Sequence, residues 1–482
     1  DAGVDVIMLE FTNYRENDLF YTITTMRKIL DTFTEVRKAG GDTPQFYCMT
    51  TWDGSYSNQC VEALYRDIYK SGKYKDLWFH WEGKPLILAD KSAVTNSTLK
   101  NFFTYRNPWP HYTQVSQPDT WTWLSTTPIK ASYTSSNSKE QLSVGPAQNW
   151  ANGPSYTFMS AMDAQGNFIA RGRSYHNGRT KLLKDPTSSK YSSKNGYNFQ
   201  EQLDQALKIN PDFIHITSWN EWIAARFLQD PFNTGDRLPK GGAFCDAFTA
   251  EFSRDLEPTR TGDLGDNFYM QTAQNIRKYK GVRKPTAADG KHTMKIDGNF
   301  SDWDSIKQEF RDDIADQAYR DCASIFPYEY YTNKTGRNDF KRMKVARDDN
   351  YMYFYVETQG NISDYRGGNW MRLFIKTNEK DKNWSGYNYI INRTGVTSGT
   401  TTLERSKGGW NWETVNKNIT YRVNGNKMEL AIPLKDLGLK ANSMNIEFKW
   451  HDNMQKQGDV YEFYLNGDAA PNSRFNYGYT VK

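Results

Sequence analysis

A chain of 482 residues exceeds what one hydrophobic core ordinarily supports, so two domains are expected. Its 61 basic and 56 acidic residues leave a formal charge of +5 with no Lys/Arg-rich block, which argues against a nucleic-acid partner, and no apolar run is long enough to span a membrane. Fifteen Trp, 31 Tyr and 26 Phe at a mean hydropathy of -0.82 make the chain aromatic but not greasy, a composition that suits stacking against sugar faces as well as filling β-rich cores.

In chain order, Val4 to Phe11 reads as a buried strand ending at Glu10, followed by Thr12 and Asn13 and by a helix from Leu19 to Ala39 that Gly40 and Gly41 close. The opening residues resemble a helix-to-strand junction, so further chain, with an export signal, is expected upstream. Gln45 to Trp52 is a second strand ending at Asp53, Asn58 to Ser71 has helical spacing, and Pro85 to Asp90 is a third strand. Strands alternating with helices, with acids at the strand ends, are the rhythm of a parallel (β/α)8 TIM barrel, its first strand missing from the chain start. Thr120 to Leu124 and Leu142 to Ala147 continue it as shorter strands. The run from Ala170 to Asn177 places Arg173, Tyr175 and His176 in a polar loop of the kind that shapes a pocket on a barrel rim; for His176 a solvated loop position is the alternative.

The pivotal stretch is Asp212 to Trp222, entered from a helix over Phe199 to Ile209. Phe213, Ile214 and Ile216 fill a buried strand, and polarity changes abruptly at Ser218-Trp219-Asn220-Glu221-Trp222. A carboxylate at the carboxyl end of a barrel strand, beside an amide and between two indoles, is placed to act on a sugar; the alternative for Glu221 is a salt bridge to a neighbour such as Arg226. Hydrolysis needs a second carboxylate, and Glu10 and Asp53 are the candidates because both end strands on the same rim, with Asp90 behind them; each has a turn-capping role as its alternative. Trp219, Trp222 and Trp52 would wall the pocket, Asn220 would bond a sugar hydroxyl or the partner acid, and Asn13, Arg173, Tyr175 and His176 would complete the substrate contacts. Downstream, Phe244 to Leu256 reads as a helix whose end carries Arg254, Asp255 and Glu257 as an ion-pair cluster, and Asn267 to Tyr279 is a closing helix.

Gly281 to Lys291 is a linker by composition, dividing a barrel over residues 1–284 from a β-sandwich over 285–482. Beyond it the period becomes two: Lys344 to Thr358 alternates around a turn, and Met371 to Lys376, Tyr387 to Asn392, Ile419 to Val423, Lys427 to Pro433, Ile446 to His451 and Val460 to Tyr464 read as strands. Of Trp370, Trp384, Trp410 and Trp412, two belong to a core, and Trp410 and Trp412, after Gly408-Gly409, are the favoured sugar platform. Cys48, Cys60, Cys245 and Cys322 lack metal-ligand spacing, although a Cys48–Cys60 disulfide is conceivable. Asp297, Asp302 and Asp304 read as turn caps rather than calcium ligands, so neither metal nor cofactor is expected.

The motif Ser218-Trp219-Asn220-Glu221-Trp222 resembles that of the bacterial glycoside hydrolases related to the endo-α-mannosidases (family ninety-nine) and the WbsX-like glycan-processing proteins, over roughly the first three-fifths of the chain. The phrases Ile296-Asp297-Gly298-Asn299-Phe300-Ser301-Asp302-Trp303 and Val345-Ala346-Arg347-Asp348-Asp349-Asn350 resemble a family-nine-type carbohydrate-binding sandwich. The resemblance implies a secreted, monomeric bacterial glycosidase acting on an oligo- or polysaccharide outside the cytoplasm. In the endo-α-mannosidases a second glutamate follows the Asn-Glu-Trp glutamate by three residues; here that position is Ala224, which leaves a non-hydrolytic glycan binder on a degenerate barrel as the alternative. A transferase is disfavoured by the absence of a phosphate-cradling glycine loop.

Overall fold

The computed structural model describes residues 2–12, 19–52, 54–109, 115, 117–124, 129–149, 158–176, 193–217, 219, 226–229, 242–244, 247–258, 264–316, 320–323, 330–333, 336–380 and 382–482. The N-terminal elements are β1 (Val6–Glu10), α1 (Leu19–Lys38), β2 (Gln45–Met49), α2 (Gly54–Leu64), β3 (His80–Trp81), β4 (Lys84–Leu88), α3 (Ser97–Phe102), β5 (Thr104–Trp109), β6 (Thr120–Thr122), β7 (Gln141–Val144), α4 (Tyr197–Ile209), β8 (Phe213–Ile216), β9 (Arg226–Phe227), β10 (Ala243–Phe244) and α5 (Asn267–Lys280). Strands β1, β2, β4, β5 and β6 form a parallel sheet in that order, with β3 antiparallel on β4. Strands β7 and β8 form a separate parallel pair. Side chains tie β6 to β7: Thr122 N–H donates to Gln141 Oε1 (3.0 Å), and Gln141 Nε2 donates to Thr122 O (2.8 Å).

Both faces of these strands are buried, which is why they read as continuous apolar runs. On one face Val6, Met8, Tyr47, Met49, Leu86, Leu88, Trp121 and Phe213 meet in a single cluster drawn from five strands. On the other, Phe46, Cys48 and Ile87 pack under Ile23, Met26 and Leu30 of α1 and Cys60, Val61 and Leu64 of α2, while Leu142, Val144, Ile214 and Ile216 pack under α4 and α5. The alternation follows the two-residue period of a strand. Among the described residues no hydrogen-bonded ladder joins β8 to β1, so this part is a mixed α/β unit with parallel strands.

The remaining strands are β11 (Glu309–Arg311), β12 (Arg320–Ala323), β13 (Tyr330–Asn333), β14 (Phe340–Arg347), β15 (Tyr351–Thr358), β16 (Arg372–Lys376), β17 (Tyr389–Ile391), β18 (Thr400–Gly408), β19 (Asn411–Asn424), β20 (Lys427–Pro433), β21 (Met444–Asp452), β22 (Asp468–Ala470) and β23 (Tyr477–Val481), with the short helix α6 (Glu462–Leu465) before β22. Except for the β12–β13 hairpin they form one antiparallel sheet, ordered β11-β14-β15-β20-β19-β18-β17-β16-β21-β22, with β23 on β21. In place of two disconnected layers, this sheet curls over itself: the rings of Phe354 on β15 and Phe448 on β21, far apart in strand order, stand 5.6 Å apart across the core.

Several expectations change. Val460–Tyr464 is a turn leading into α6, because Asp459 Oδ1 caps Tyr461 N–H (3.0 Å) and the buried Glu462 binds Gln455 N–H (2.6 Å). Across Phe244–Leu256, the described residues form β10 and then irregular chain instead of a helix. Cys48 and Cys60 are both buried and are not joined by a disulfide. Cys245 lies outside the described residues. The distinctive opening of the C-terminal part is a staple: Trp303 Nε1 donates to the buried Glu429 (2.8 Å), whose other oxygen takes the N–H groups of Asp297 (3.0 Å) and Gly298 (2.8 Å). Asp297 and Asp302 act as caps there, accepting from Asn299 N–H (2.8 Å) and Lys295 N–H (3.0 Å).

Candidate active site

Parallel pairing fixes which end of the sheet can carry chemistry. Glu10 pairs with Met49, and Met49 with Leu88, so β1, β2 and β4 finish on one edge. Glu10 is the last residue of β1, and Trp52 and Asp90 stand just beyond β2 and β4; beyond β6, β7 and β8 stand Trp123, Asn149 and Trp219. Trp52 is 51% exposed and Trp219 38% exposed, which is unusual for indoles and leaves ring surface open to solvent. The Trp219 ring meets Tyr269 of α5 edge-on at 6.0 Å.

Of the three proposed carboxylates, Glu10 is described, and its Oε1 takes the N–H of Thr12 (2.6 Å) and the Thr12 hydroxyl, so it caps the turn that follows its strand. Asp90 does the same for Ser92, accepting its N–H (2.9 Å) and hydroxyl (2.6 Å). Asn13, Asp53, Asn220, Glu221 and Trp222 lie outside the described residues.

The run containing Arg173, Tyr175 and His176 divides by burial. Arg173 is fully buried: it donates to Asp255 O (2.6 Å), lies 4.2 Å over the Phe268 ring, and is pushed down to about 10 by burial. Tyr175 is buried under the Arg171 guanidinium at 4.3 Å. His176 is exposed, its ring 4.9 Å from that of Tyr197 at the start of α4. Arg173 therefore fastens the run to the segment around Asp255 and does not line an open surface.

Two neighbours of the rim, Arg254 and His215, were not singled out as site residues from the sequence. Arg254 is buried, donates to Asn149 Oδ1 (2.6 Å), and sits over the Trp123 ring at 5.9 Å, beside the ends of β7 and β8. Its place in an Arg-Asp-Leu-Glu run reads as a structural ion-pair cluster, and the long-range bond to Asn149 adds a tie to the end of β7 that no local pattern shows. His215 shares a strand face with Phe213, directly below the rim, and burial pushes its imidazole down to about 4, so it is neutral at neutral pH with Nε2 lacking a partner. The sequence did carry a signal for it, a lone histidine inside an apolar strand.

On the antiparallel sheet, Trp370 and Trp384 are buried, while Trp410 and Trp412 are half-buried. Trp410 stands edge-on to Trp384 at 4.5 Å and to Trp412 at 5.5 Å. Beside them the buried Arg372 donates to Asn369 Oδ1 (2.9 Å) and lies 5.9 Å from the Trp410 ring, with Nε and Nη1 unpartnered. Burial, reinforced by Arg393, lowers it to about 10. The half-buried indole pair offers ring surface to a hydroxyl-rich ligand, whereas the Arg372 donors are sealed from solvent beneath it. A groove of about 830 Å³ lies between α4 and α5, bordered by Phe475, and none of the strand-end residues named above lines it.

No family model matches the chain, and no curated protein matches it. Among solved structures, two of the GH99 endo-alpha-mannosidase from Bacteroides thetaiotaomicron are similar to it. One, in complex with bis-tris-propane, is 14% identical and covers 58% of this chain and 81% of its own, at a TM-score of 0.30. The other is 16% identical and covers 58% and 77%, at 0.31. The likeness is thus a distant structural one.

Proposed function

We propose that the protein is a glycoside hydrolase acting on an oligo- or polysaccharide outside the cytoplasm, with a barrel over residues 1–284 and a β-rich, glycan-binding part over 285–482. The common strand edge carries this reading: Glu10 ends β1, Trp52, Asp90, Trp123, Asn149 and Trp219 follow the carboxyl ends of parallel strands, and Glu221 follows β8 by five residues. The single apolar cluster fed from β1, β2, β4, β6 and β8 is what the interior of a closing barrel would contain. Glu221 would serve as one of two carboxylates and Asp53 or Glu10 as the other, with Asn220 on a sugar hydroxyl and Trp52, Trp219 and Trp222 as apolar walls. Trp410 and Trp412 would hold the polymer at a second site.

Reducing-sugar release from a glycan panel tests this. Glu221→Gln should lower kcat by about 10²–10⁴-fold with KM little changed, and Asp53→Asn or Glu10→Gln should do the same for whichever is the partner. Wild-type turnover that survives Glu221→Gln rejects the role. Two observations favour a second reading, a non-hydrolytic glycan binder: Glu10 is engaged by Thr12, and Ala224 stands where a second acid would be. That reading holds if the wild type is retarded in a glycan-containing gel yet releases no sugar.

A further inference from the structure

We infer that Asp312, Asp316 and Asp468 form a calcium site where the chain leaving β11 meets β22, independently of any glycosidase activity. One carboxylate oxygen from each of the three lies within 4.8 Å of the others. Two oxygens on opposite sides of a calcium ion are about 4.6–5.2 Å apart, from Ca–O distances of about 2.3–2.6 Å, so the cluster can close on that ion without rearrangement. An all-carboxylate set is a hard-cation set, unsuited to zinc or copper.

The second observation is separate from the clustering. Asp312 Oδ2 and Asp316 Oδ1 are sealed from solvent, and neither has a hydrogen-bond partner. A buried carboxylate oxygen without a donor is costly, and two in one cluster mark where a cation belongs. The other oxygens are held and so orient the open ones. Asp316 Oδ2 accepts from Asn472 Nδ2, Asp312 Oδ1 from the Tyr477 hydroxyl (3.4 Å), and Asp468 from Phe340 N–H (2.5 Å) and Ala469 N–H (2.8 Å).

Charge points the same way. Among the described residues, the buried Lys449, which donates to Pro471 O, faces Asp312 and Asp468, whereas Asp313 and Asp339 add negative charge. Burial first, and neighbouring carboxylates second, push all three carboxyls upward, Asp316 to about 7. The same loop carries the buried Ile314, which reaches Gly40 and Gly41 at the end of α1, so an ion here would also steady the contact between the two halves of the molecule.

The full chain, stripped with EDTA, is titrated calorimetrically with CaCl2 and with MgCl2, and its melting is followed with and without calcium. One equivalent of calcium should bind, magnesium at least about tenfold more weakly because of its smaller octahedral shell, and the melting temperature should rise by several degrees. Asp316→Asn should lose calcium uptake, yet its metal-free form should melt no lower than the metal-free wild type, because one of the repelling carboxylates has gone. Should that variant fail to fold, terbium added to the wild type should show emission sensitised by Tyr477 that calcium displaces. No calcium uptake by the wild type, undiminished uptake by Asp316→Asn, or terbium emission that calcium leaves unchanged overturns the site.

Discussion

Glu140 shows how a single carboxylate can organise the end of the parallel sheet opposite the proposed mouth. It is 2% exposed and immediately precedes β7. Its oxygens accept from Trp81 Nε1 (2.7 Å), Trp121 Nε1 (2.6 Å) and Arg106 Nε (2.7 Å) and Nη2 (2.5 Å), tying β3, β5 and β6 to the start of β7. Glu140→Gln keeps the shape but leaves the buried guanidinium with the exposed Glu82 (2.8 Å) as its remaining counter-charge, which should cost about 2–3 kcal/mol in urea unfolding at neutral pH. Burial alone would raise the Glu140 carboxyl, but hydrogen bonds from Arg106, Trp121 and Trp81 outweigh it and hold it below its ordinary 4.5. A carboxyl depressed on folding contributes stability that is present above its unfolded pKa and disappears as pH falls through its folded pKa. The wild type should therefore lose this contribution below pH 4.5, and the stability gap to Glu140→Gln should narrow as acid is added. A gap that stays constant between about pH 7 and about pH 3 would refute this account.

At the scale of elements, periodicity reached the strands whose burial comes from apolar side chains. Lys427–Pro433 is a strand with the expected bounds, and β1, β2, β4, β8, α4 and α5 fall within a few residues of theirs. β5 escaped because Thr104–Trp109 buries a guanidinium in mid-strand: Arg106 is acceptable inside because Glu140, 34 residues away, and Glu82 pair with it. Long-range pairing of this kind leaves no local pattern, and the burial of Arg173 and Arg254 was unreadable for the same reason, since their partners Asp255 and Asn149 lie 82 and 105 residues away. The turn from α6 into β22 was likewise unreadable, since its requirement is geometric. Gly467 has φ +61°, and a Cβ there would stand 1.9 Å from the carbonyl oxygen of Asp452 on β21. Gly467→Ala cannot be relieved by a side-chain rotation, so it should separate β22 from β21 and destabilise by about 3 kcal/mol or more. Hydrogen exchange should rise at Asp468–Ala470 before it rises in β14 and β15; unchanged protection there would show that the backbone yields cheaply.

For the molecule as a whole, the question is whether the parallel unit and the curled antiparallel sheet unfold together. Asp266, at the start of α5, is 3% exposed and accepts two hydrogen bonds from Arg474, one of them at 2.7 Å, and one from the Tyr464 hydroxyl at 2.5 Å. Around this pair Tyr269 touches Tyr464 and Phe475 at about 6 Å, and the Arg277 guanidinium covers Phe475 at 4.5 Å. Tyr269 also receives the edge of Trp219, so one ring connects the proposed mouth to the antiparallel part. A buried, multiply bonded ion pair couples two units strongly, because removing either partner leaves the other desolvated and alone. Arg474→Ala strands Asp266 and should cost about 2–4 kcal/mol, somewhat less than a fully enclosed pair because Arg474 is partly exposed. In calorimetry the wild type should melt in one transition, and Arg474→Ala in two, the earlier belonging to the parallel unit, which has lost the partner of its closing helix. Asp266→Asn, which retains hydrogen-bonding capacity without the charge, should fall between them. A single transition in Arg474→Ala, displaced by less than about 1 kcal/mol, would mean that the aromatic contacts and the Ile314 loop hold the halves together without the ion pair.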